Sequence, residues 1–191
     1  MNTVRYQDVL LDALPWPCAR ALDVGCGLGD FARRLAPFAG QVDAIDRVPE
    51  VIARARVHSR NPSNVRFACA DAMTTDLEPG YDFVCALASQ HHLPLESALA
   101  RLAGLLRLGG VLGVIGLYRP VTVFDHMAFA AAYPFGVLHR IIRRGRDIAD
   151  RVPLCDPVAS LDDIHSAAAV ALPGAVIRRR LMWRYTLVYR S

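Results

Sequence analysis

The sequence contains no lysine, so all 22 basic side chains behind its net charge of +4 are arginines. A positive charge carried by arginine alone, in an alanine-rich chain, is better explained by a bias in amino-acid usage than by an acidic partner. The arginines are also scattered, except for two short runs at 143–146 and 178–180. Nucleic-acid binding requires a basic stripe on one face of a domain. We therefore do not expect a nucleic-acid partner.

Long apolar runs and paired cysteines are missing as well. No stretch of 18 or more apolar residues occurs, which excludes a membrane-spanning helix. Residues 1–14 contain Arg5, Asp8 and Asp12 and lack the apolar centre of a signal peptide. The five cysteines form no C-x-x-C pair, so no metal site and no disulfide framework are predicted. We expect a cytoplasmic protein with reduced thiols and no membrane partner.

The composition is that of a folded protein, with 53% hydrophobic and 21% charged residues. A length of 191 residues predicts a single domain, 1–191. Its state of assembly, monomer or homodimer, stays open.

Short apolar runs alternate with helical patterns along most of the chain. The runs predict strands at 19–24, 41–45, 65–70, 81–88, 111–117, 176–182 and 184–189. Helices are predicted at 4–14, 30–38, 49–59, 95–108 and 161–172, the fourth ended by the two glycines at 109–110. Strands that are apolar throughout and separated by helices indicate a doubly wound α/β fold with a mostly parallel sheet. The last two strands, joined by a short connection, suit an antiparallel pair.

The segment 119–157 interrupts this alternation. It is helical in pattern, rich in arginine and aromatic residues, and too long for an ordinary connection. We interpret it as a helical insertion on the substrate side of the sheet.

The strongest local signal is Asp23-Val24-Gly25-Cys26-Gly27-Leu28-Gly29-Asp30, a strand that runs into G-x-G-x-G before a helix. Glycines at these positions permit positive φ and a close approach of a ligand to the backbone. A dinucleotide fingerprint would need its third glycine where Asp30 stands. Asp23 is also a poor neighbour for a pyrophosphate and suits a ligand with a cationic amino group.

Acidic residues follow the next two strands. Asp46, 21 residues after Gly25, can accept hydrogen bonds from both hydroxyls of a ribose. Asp71 could accept one from the exocyclic amine of adenine. In a parallel sheet such groups converge on one crevice at the carboxyl ends of the strands. Each also has a structural alternative, since Asp23 and Asp71 could be turn residues and Asp46 could cap the helix near Pro49.

Together these elements resemble the class I S-adenosylmethionine (SAM)-dependent methyltransferases of the small-molecule type. The resemblance covers about 19–117 and rests on L-D-V-G-C-G-x-G, the acid after strand two, D-A after strand three, H-H-L after strand four and L-R-x-G-G before strand five. It implies a three-layer α/β/α domain with a seven-stranded sheet and an antiparallel C-terminal strand. It also implies SAM as the cofactor and S-adenosylhomocysteine (SAH) as the product.

The resemblance also assigns residues to the cofactor. The predicted cofactor-binding set is Asp23, Gly25, Cys26, Gly27, Gly29, Asp46, Arg47, Asp71, Ala72, Ala88 and Tyr6. Within this set Cys26 is expected to pack in the loop and not to act as a nucleophile. Tyr6 would lie near the methionine carboxylate, or, as a structural alternative, face the core from the first helix.

Methyl transfer to oxygen or nitrogen often requires removal of a proton, for which histidine is well suited near neutral pH. We therefore predict His91, which follows strand four, as a catalytic base, with a structural histidine as the alternative. Candidate substrate contacts are His92, Tyr118, Arg119 and His126. The predicted reaction moves a methyl group to an O, N or C atom of a small molecule. A SAM-binding protein without methyl transfer, an NAD-type oxidoreductase and an RNA methyltransferase remain alternatives.

Overall fold

A computed structural model describes residues 3–58, 61–87, 95–122, 157–181 and 183–191. Five α-helices are found among these residues: α1 (Thr3–Ala13), α2 (Asp30–Leu35), α3 (Pro49–Arg56), α4 (Leu95–Ala103) and α5 (Leu161–Ala171). A short 3-10 helix, Ala36–Phe38, follows α2. The strands are β1 (Arg20–Val24), β2 (Gln41–Asp46), β3 (Val65–Cys69), β4 (Tyr81–Leu87), β5 (Leu106–Leu117), β6 (Val176–Arg180) and β7 (Arg184–Arg190).

The strands form one sheet in the order β3-β2-β1-β4-β5-β7-β6. The pairs from β3 to β5 are parallel, and β7 enters antiparallel between β5 and β6. The predicted seven-stranded, mostly parallel sheet with an antiparallel C-terminal strand is therefore confirmed. Since the chain passes outward from β1 in both directions, the strand order reverses between β1 and β4, where open α/β sheets bind ligands.

The sheet is covered on both faces, which confirms the predicted three-layer arrangement. One core cluster joins Leu10 of α1 and Phe31 of α2 to the sheet residues Phe83 and Ile115. The other joins α4 and α5 to the opposite face of the sheet. The strand β3, at the sheet edge, is half-exposed, unlike the central strand β4, which is buried at every residue but its last.

The boundary between α4 and β5 differs from the prediction. The helix ends at Ala103 and the strand begins at Leu106, so the predicted helix 95–108 is five residues too long. Leu106 pairs with Tyr81, and the register shifts before the next pair, Phe83 with Val111. The glycines at 109–110 therefore form an irregularity within the strand and do not end the helix.

Most of the predicted insertion, residues 123–156, lies outside the described residues. None of the helices in the described part of the chain has the length and apolar character needed to cross a bilayer.

Candidate functional site

The loop between β1 and α2 is held by hydrogen bonds to β2 and by its glycines. The backbone N–H groups of Gly25 and Cys26 both donate to the Ile45 carbonyl, at 2.8 and 2.9 Å. Gly25, Gly27 and Gly29 have φ values of 68°, 55° and 82°. This left-handed backbone is the conformation for which the sequence predicted glycine.

The second and third glycines of the loop have different surroundings. A Cβ atom built on Gly27 would meet nothing within 4 Å, so this position faces open space. A Cβ on Gly29 would lie 2.4 Å from the Phe67 ring. Gly27 thus leaves room for a ligand above the loop, whereas Gly29 allows the loop to pack against β3.

Asp46 joins the glycine loop to the end of β2. Its Oδ2 accepts from the Gly27 N–H and its Oδ1 from the Val48 N–H, both at 3.0 Å. Val48 is the N-cap of α3, and its side chain makes no capping hydrogen bond. The bond from the Val48 N–H to Asp46 therefore closes a turn that leads into the helix. Each carboxylate oxygen keeps a second lone pair. The carboxylate therefore retains the capacity to accept from two ribose hydroxyls.

Asp23 is 1% exposed at the end of β1. Its Oδ1 lies 3.5 Å from the Cys85 thiol, and its Oδ2 has no hydrogen-bond partner among the described residues. Burial raises the pKa of Asp23 to about 7; the Cys85 thiol and the Ala32 N–H oppose this rise, and the nearby Asp46 adds to it. A buried carboxylate with a free oxygen is costly without a partner, and a cationic ligand group would supply one.

Asp71 forms a turn directly after β3, which was the structural alternative for this residue. Its Oδ1 accepts from the Met73 N–H at 2.8 Å, and its own N–H donates to the Thr75 hydroxyl at 3.1 Å. The neighbouring Ala72 is buried, and its carbonyl accepts from Arg101 of α4 at 3.4 Å. The structure thus places Asp71 and Ala72 at the carboxyl end of β3, beside the end of β2.

Tyr6 belongs to the core cluster that joins α1 and α2 to the sheet. Its ring is buried in the core, and its hydroxyl donates to the Leu181 carbonyl in the β6–β7 turn at 3.4 Å. The core-facing position, which the sequence left as an alternative, is the one observed. Whether Tyr6 also contacts a cofactor stays a prediction.

Two of the predicted substrate contacts are described. Tyr118 is buried at the end of β5, with the Arg179 guanidinium 5.7 Å from its ring centre. Arg119 is exposed, and its backbone N–H donates to the Ala159 carbonyl at 2.7 Å. Both residues therefore lie at the carboxyl edge of the sheet, on the side of β5.

Of the remaining predicted residues, Arg47 and Cys26 are described by the structure and the others are not. Arg47 is exposed after β2, and the half-buried Cys26 thiol lies 3.7 Å from the Gly27 carbonyl. Burial raises the pKa of Cys26, which fits a packing residue and not a nucleophile. The predicted positions outside the described residues are Ala88, His91, His92 and His126.

A cavity of about 330 Å³ opens beside the carboxyl end of β5. It lies between that strand, residues 157–159 and the first turns of α5. Its described lining is mostly apolar, with Asp163 as its ionisable carboxylate: Leu95, Gly116, Leu117, Pro157, Val158, Ala159, Asp163, Ile164, Ala167 and Tyr185. A space of this size, apolar with a few polar groups, suits a small organic molecule.

Sequence reasoning missed two residues that support the loop. Cys85 of β4 was expected only as a reduced thiol, yet it is a hydrogen-bond partner of Asp23. Arg33 of α2 donates to the Leu28 carbonyl and to Asp30, both at 2.7 Å, and so ties the loop to the start of the helix. The spacing from Asp30 to Arg33 at i, i+3 was the signal that could have revealed the second contact.

The strand order, the glycine loop after β1 and the acids at the carboxyl ends of the first three strands define a class I methyltransferase fold with its cofactor crevice. A family model described as a methyltransferase domain matches residues 21–110. An uncharacterized methyltransferase of Mycobacterium tuberculosis is 33% identical over 193 residues, which cover 100% of this chain and 96% of that protein. The chain belongs to the methyltransferase family, and SAM is its methyl donor.

Two further proteins show how far the similarity extends. A ubiquinone biosynthesis O-methyltransferase of Xanthomonas campestris pv. campestris is 33% identical over 137 residues, which cover 70% of this chain and 57% of that protein. The N-methyltransferase NodS from Bradyrhizobium japonicum WM9, solved in complex with SAH, superposes with a TM-score of 0.67 at 17% identity. That superposition covers 98% of this chain and 86% of the other, and it shows the shared fold.

Proposed function

We propose that this methyltransferase acts on a small molecule bound beside the carboxyl end of β5. Two observations support the proposal: the mostly apolar cavity of about 330 Å³ at that strand end, and its position on the far side of β4 from the glycine loop. The names of the relatives, an O-methyltransferase of ubiquinone biosynthesis and an N-methyltransferase, fit an acceptor with an oxygen or nitrogen nucleophile.

The residues at the glycine loop fit SAM. We assign the amino group of its methionine part to the free Oδ2 of Asp23, the space above Gly27 to its chain, and its ribose hydroxyls to Asp46. Asp71 and Ala72 would border the adenine. The free oxygen of Asp23, 1% exposed, is the single observation that carries this assignment, because a buried carboxylate oxygen without a partner favours a cationic group of a ligand.

When bound, SAM supplies an activated methyl group that an acceptor atom displaces directly. The protein then has to align the acceptor with that group and exclude water. The apolar walls of the cavity, including Leu117, Ile164 and Tyr185, would serve the second purpose. We keep His91 as the proposed base that takes the acceptor proton.

We further propose a cytoplasmic location, with a small-molecule acceptor and no membrane partner. The described cysteines Cys18, Cys26, Cys69 and Cys85 are free thiols, which suits a reducing compartment. Residues 119–157 would form the substrate-side insertion of the single domain, and RNA methylation remains the alternative activity.

Replacement of Asp46 by alanine tests the cofactor assignment. Because two charge-assisted hydrogen bonds to the ribose would be lost, we expect SAM affinity to fall at least ~10-fold. Isothermal titration calorimetry with SAM and SAH measures this loss, and the circular dichroism spectrum should stay that of the native fold. The SAM affinity of Asp46→Asn, which keeps one acceptor oxygen, should lie between the affinities of the parent and of Asp46→Ala.

Glu50→Ala is the matched control, since it removes an exposed carboxylate from the first turn of α3. Its SAM affinity should stay within about twofold of the parent. Equal affinities for the parent and Asp46→Ala would remove Asp46 from the ribose site. Tighter binding of NADH than of SAM would contradict the cofactor assignment as a whole.

The acceptor assignment is tested by turnover. Small molecules with a phenol, carboxylate or amine group are incubated with SAM, and SAH formation is followed. His91→Ala should lower turnover far more than SAM affinity if this histidine acts as the base. Methylation of RNA but of none of the small molecules would overturn the proposed acceptor class.

A further inference from the structure

The phenol ring of Tyr185 lies across the β5 wall of the proposed acceptor cavity. Tyr185 on β7 stands directly opposite Gly116 on β5, and both residues line that cavity. A Cβ atom built on Gly116 would lie 2.6 Å from the Tyr185 hydroxyl oxygen. The ring therefore fills the space that a side chain at position 116 would need, and its hydroxyl reaches from β7 over β5. Since β5 is the neighbour of β4, the hydroxyl extends toward the glycine loop, where we place the methyl donor.

The strand register puts this ring on the same face of the sheet as the other walls of the cavity. Tyr185 belongs to the core cluster that joins α4 and α5 to the sheet, together with the cavity residue Ile164 of α5. Val114 and Tyr118, which share one face of β5 with Gly116, are members of the same cluster. The ring, the cavity and α5 are therefore on one side of the sheet.

The Tyr185 hydroxyl is buried without a hydrogen-bond partner in the part of the chain that the structure describes. The residue is 2% exposed, and no hydrogen bond of its hydroxyl is found among those residues. Burial raises the pKa of Tyr185, so the phenol stays protonated and can donate. A buried tyrosine hydroxyl ordinarily has a partner, and one without a partner costs stability. A ligand in the cavity would supply that partner.

The other polar side chain of the described cavity lining is already engaged. Asp163 accepts through Oδ2 from the Ser160 N–H and hydroxyl, at 2.8 and 2.7 Å, and so closes the capping box at the start of α5. The rest of the described lining has apolar side chains or none. The Tyr185 hydroxyl is therefore the side-chain group in this lining that is free to orient a ligand.

We propose that the Tyr185 hydroxyl donates a hydrogen bond to an uncharged oxygen of the methyl acceptor and thereby selects acceptors that carry one. A carbonyl, ether or hydroxyl oxygen suits this donor, because the described lining offers no cation to offset an anion. A site with a buried donor rejects an analogue that leaves the donor unpaired. The acceptor would thus be an apolar molecule with a neutral oxygen directed at β5. This inference rests on the proposed acceptor site.

The test compares two probes of nearly the same shape on the full-length protein loaded with SAH. Acetophenone carries a carbonyl oxygen, and α-methylstyrene has a CH2 group in its place. Ligand-observed NMR titrations measure both dissociation constants. Tyr185→Phe removes the hydroxyl alone, so it should weaken acetophenone binding about 3–10-fold, the equivalent of one neutral hydrogen bond. Binding of α-methylstyrene should be unchanged or tighter, because this probe leaves the hydroxyl unpaired in the parent protein.

Tyr189→Phe is the matched control. Tyr189 lies on the same strand and the same face as Tyr185, opposite Leu112, and does not line the cavity. Its affinity for both probes should stay within about twofold of the parent. The melting temperature of Tyr185→Phe should be unchanged or raised, because a buried hydroxyl without a partner is removed. The SAH affinity of this variant should also equal that of the parent.

The inference fails if Tyr185→Phe changes both probe affinities by the same factor, or if its effect on them equals that of Tyr189→Phe. A lowered melting temperature of Tyr185→Phe would overturn it as well, since the hydroxyl would then serve the fold. A loss of SAH affinity as large as the loss of acetophenone affinity would assign Tyr185 to the donor instead. Failure of the proposed function appears differently, as binding of neither probe by the parent protein.

Discussion

Asp23 has opposite effects on stability and on ligand binding. Its carboxyl group is buried with one oxygen unpartnered among the described residues, and its pKa is raised to about 7 from a usual value near 3.8. Between these two values the folded protein holds a proton that the unfolded chain has released. Stability therefore falls as the pH rises through this window and levels off above about pH 7. A cationic ligand reverses the preference, because it favours the carboxylate.

Replacement of Asp23 by asparagine separates the two effects. Asparagine has nearly the same shape and no charge, so without ligand the variant should be more stable than the parent at pH 8, by at least about 1.4 kcal/mol, the equivalent of one pKa unit. The advantage should shrink as the pH falls toward 4. Urea denaturation of both proteins from pH 4 to pH 8 measures it, and parallel pH profiles would contradict the raised pKa.

The same variant should bind SAH more weakly. In the parent, ligand affinity should decline as the pH falls below 7, because Asp23 must then lose a proton on binding. In Asp23→Asn this decline should be absent. Cys85→Ala is the control for the pocket, since it removes the thiol beside Asp23 and keeps the carboxylate.

The element of the site most dependent on its glycines is the loop between β1 and α2. Gly27 and Gly29 both have positive φ, yet only Gly29 would bring a Cβ into a neighbouring ring, that of Phe67. The two positions should therefore respond differently to the same substitution, one through the ligand and the other through the fold.

We expect Gly27→Ala to cost only about 1–2 kcal/mol of stability, the penalty for a side chain in left-handed backbone, and to lose most SAH affinity because the methyl group occupies the ligand space. Gly29→Ala should cost more, since the contact with Phe67 is added to the same penalty. Thermal denaturation and calorimetry with SAH measure both. Equal destabilisation of the two variants would contradict the assignment of Gly29 to packing.

At the scale of the whole molecule, the order of elements and the acids at the strand ends were predictable from local patterns. Asp23, Asp46 and Asp71 each follow an apolar run, so their positions at one edge follow from a parallel sheet. The start of β5 was not predictable, because residues 106–108 continue the apolar spacing of α4. Only the distant pairing of Leu106 with Tyr81 makes them a strand.

Contacts between distant residues account for the rest of what sequence reasoning missed. Cys85 lies 62 positions from Asp23, and the Tyr6 hydroxyl lies 175 positions from its acceptor, Leu181. Neither contact leaves a local pattern.

The antiparallel β7 has a spectroscopic consequence. The turn before it puts Trp183, half-buried with its carbonyl bonded to the Tyr118 N–H at 2.9 Å, at the ligand edge of the sheet. The second tryptophan of the chain, Trp16, is 82% exposed and precedes the amino end of β1, at the opposite edge. Fluorescence changes on adding SAH should therefore persist in Trp16→Phe and vanish in Trp183→Phe. A signal kept by Trp183→Phe would contradict this, whereas the expected result makes Trp183 a built-in optical probe of cofactor binding.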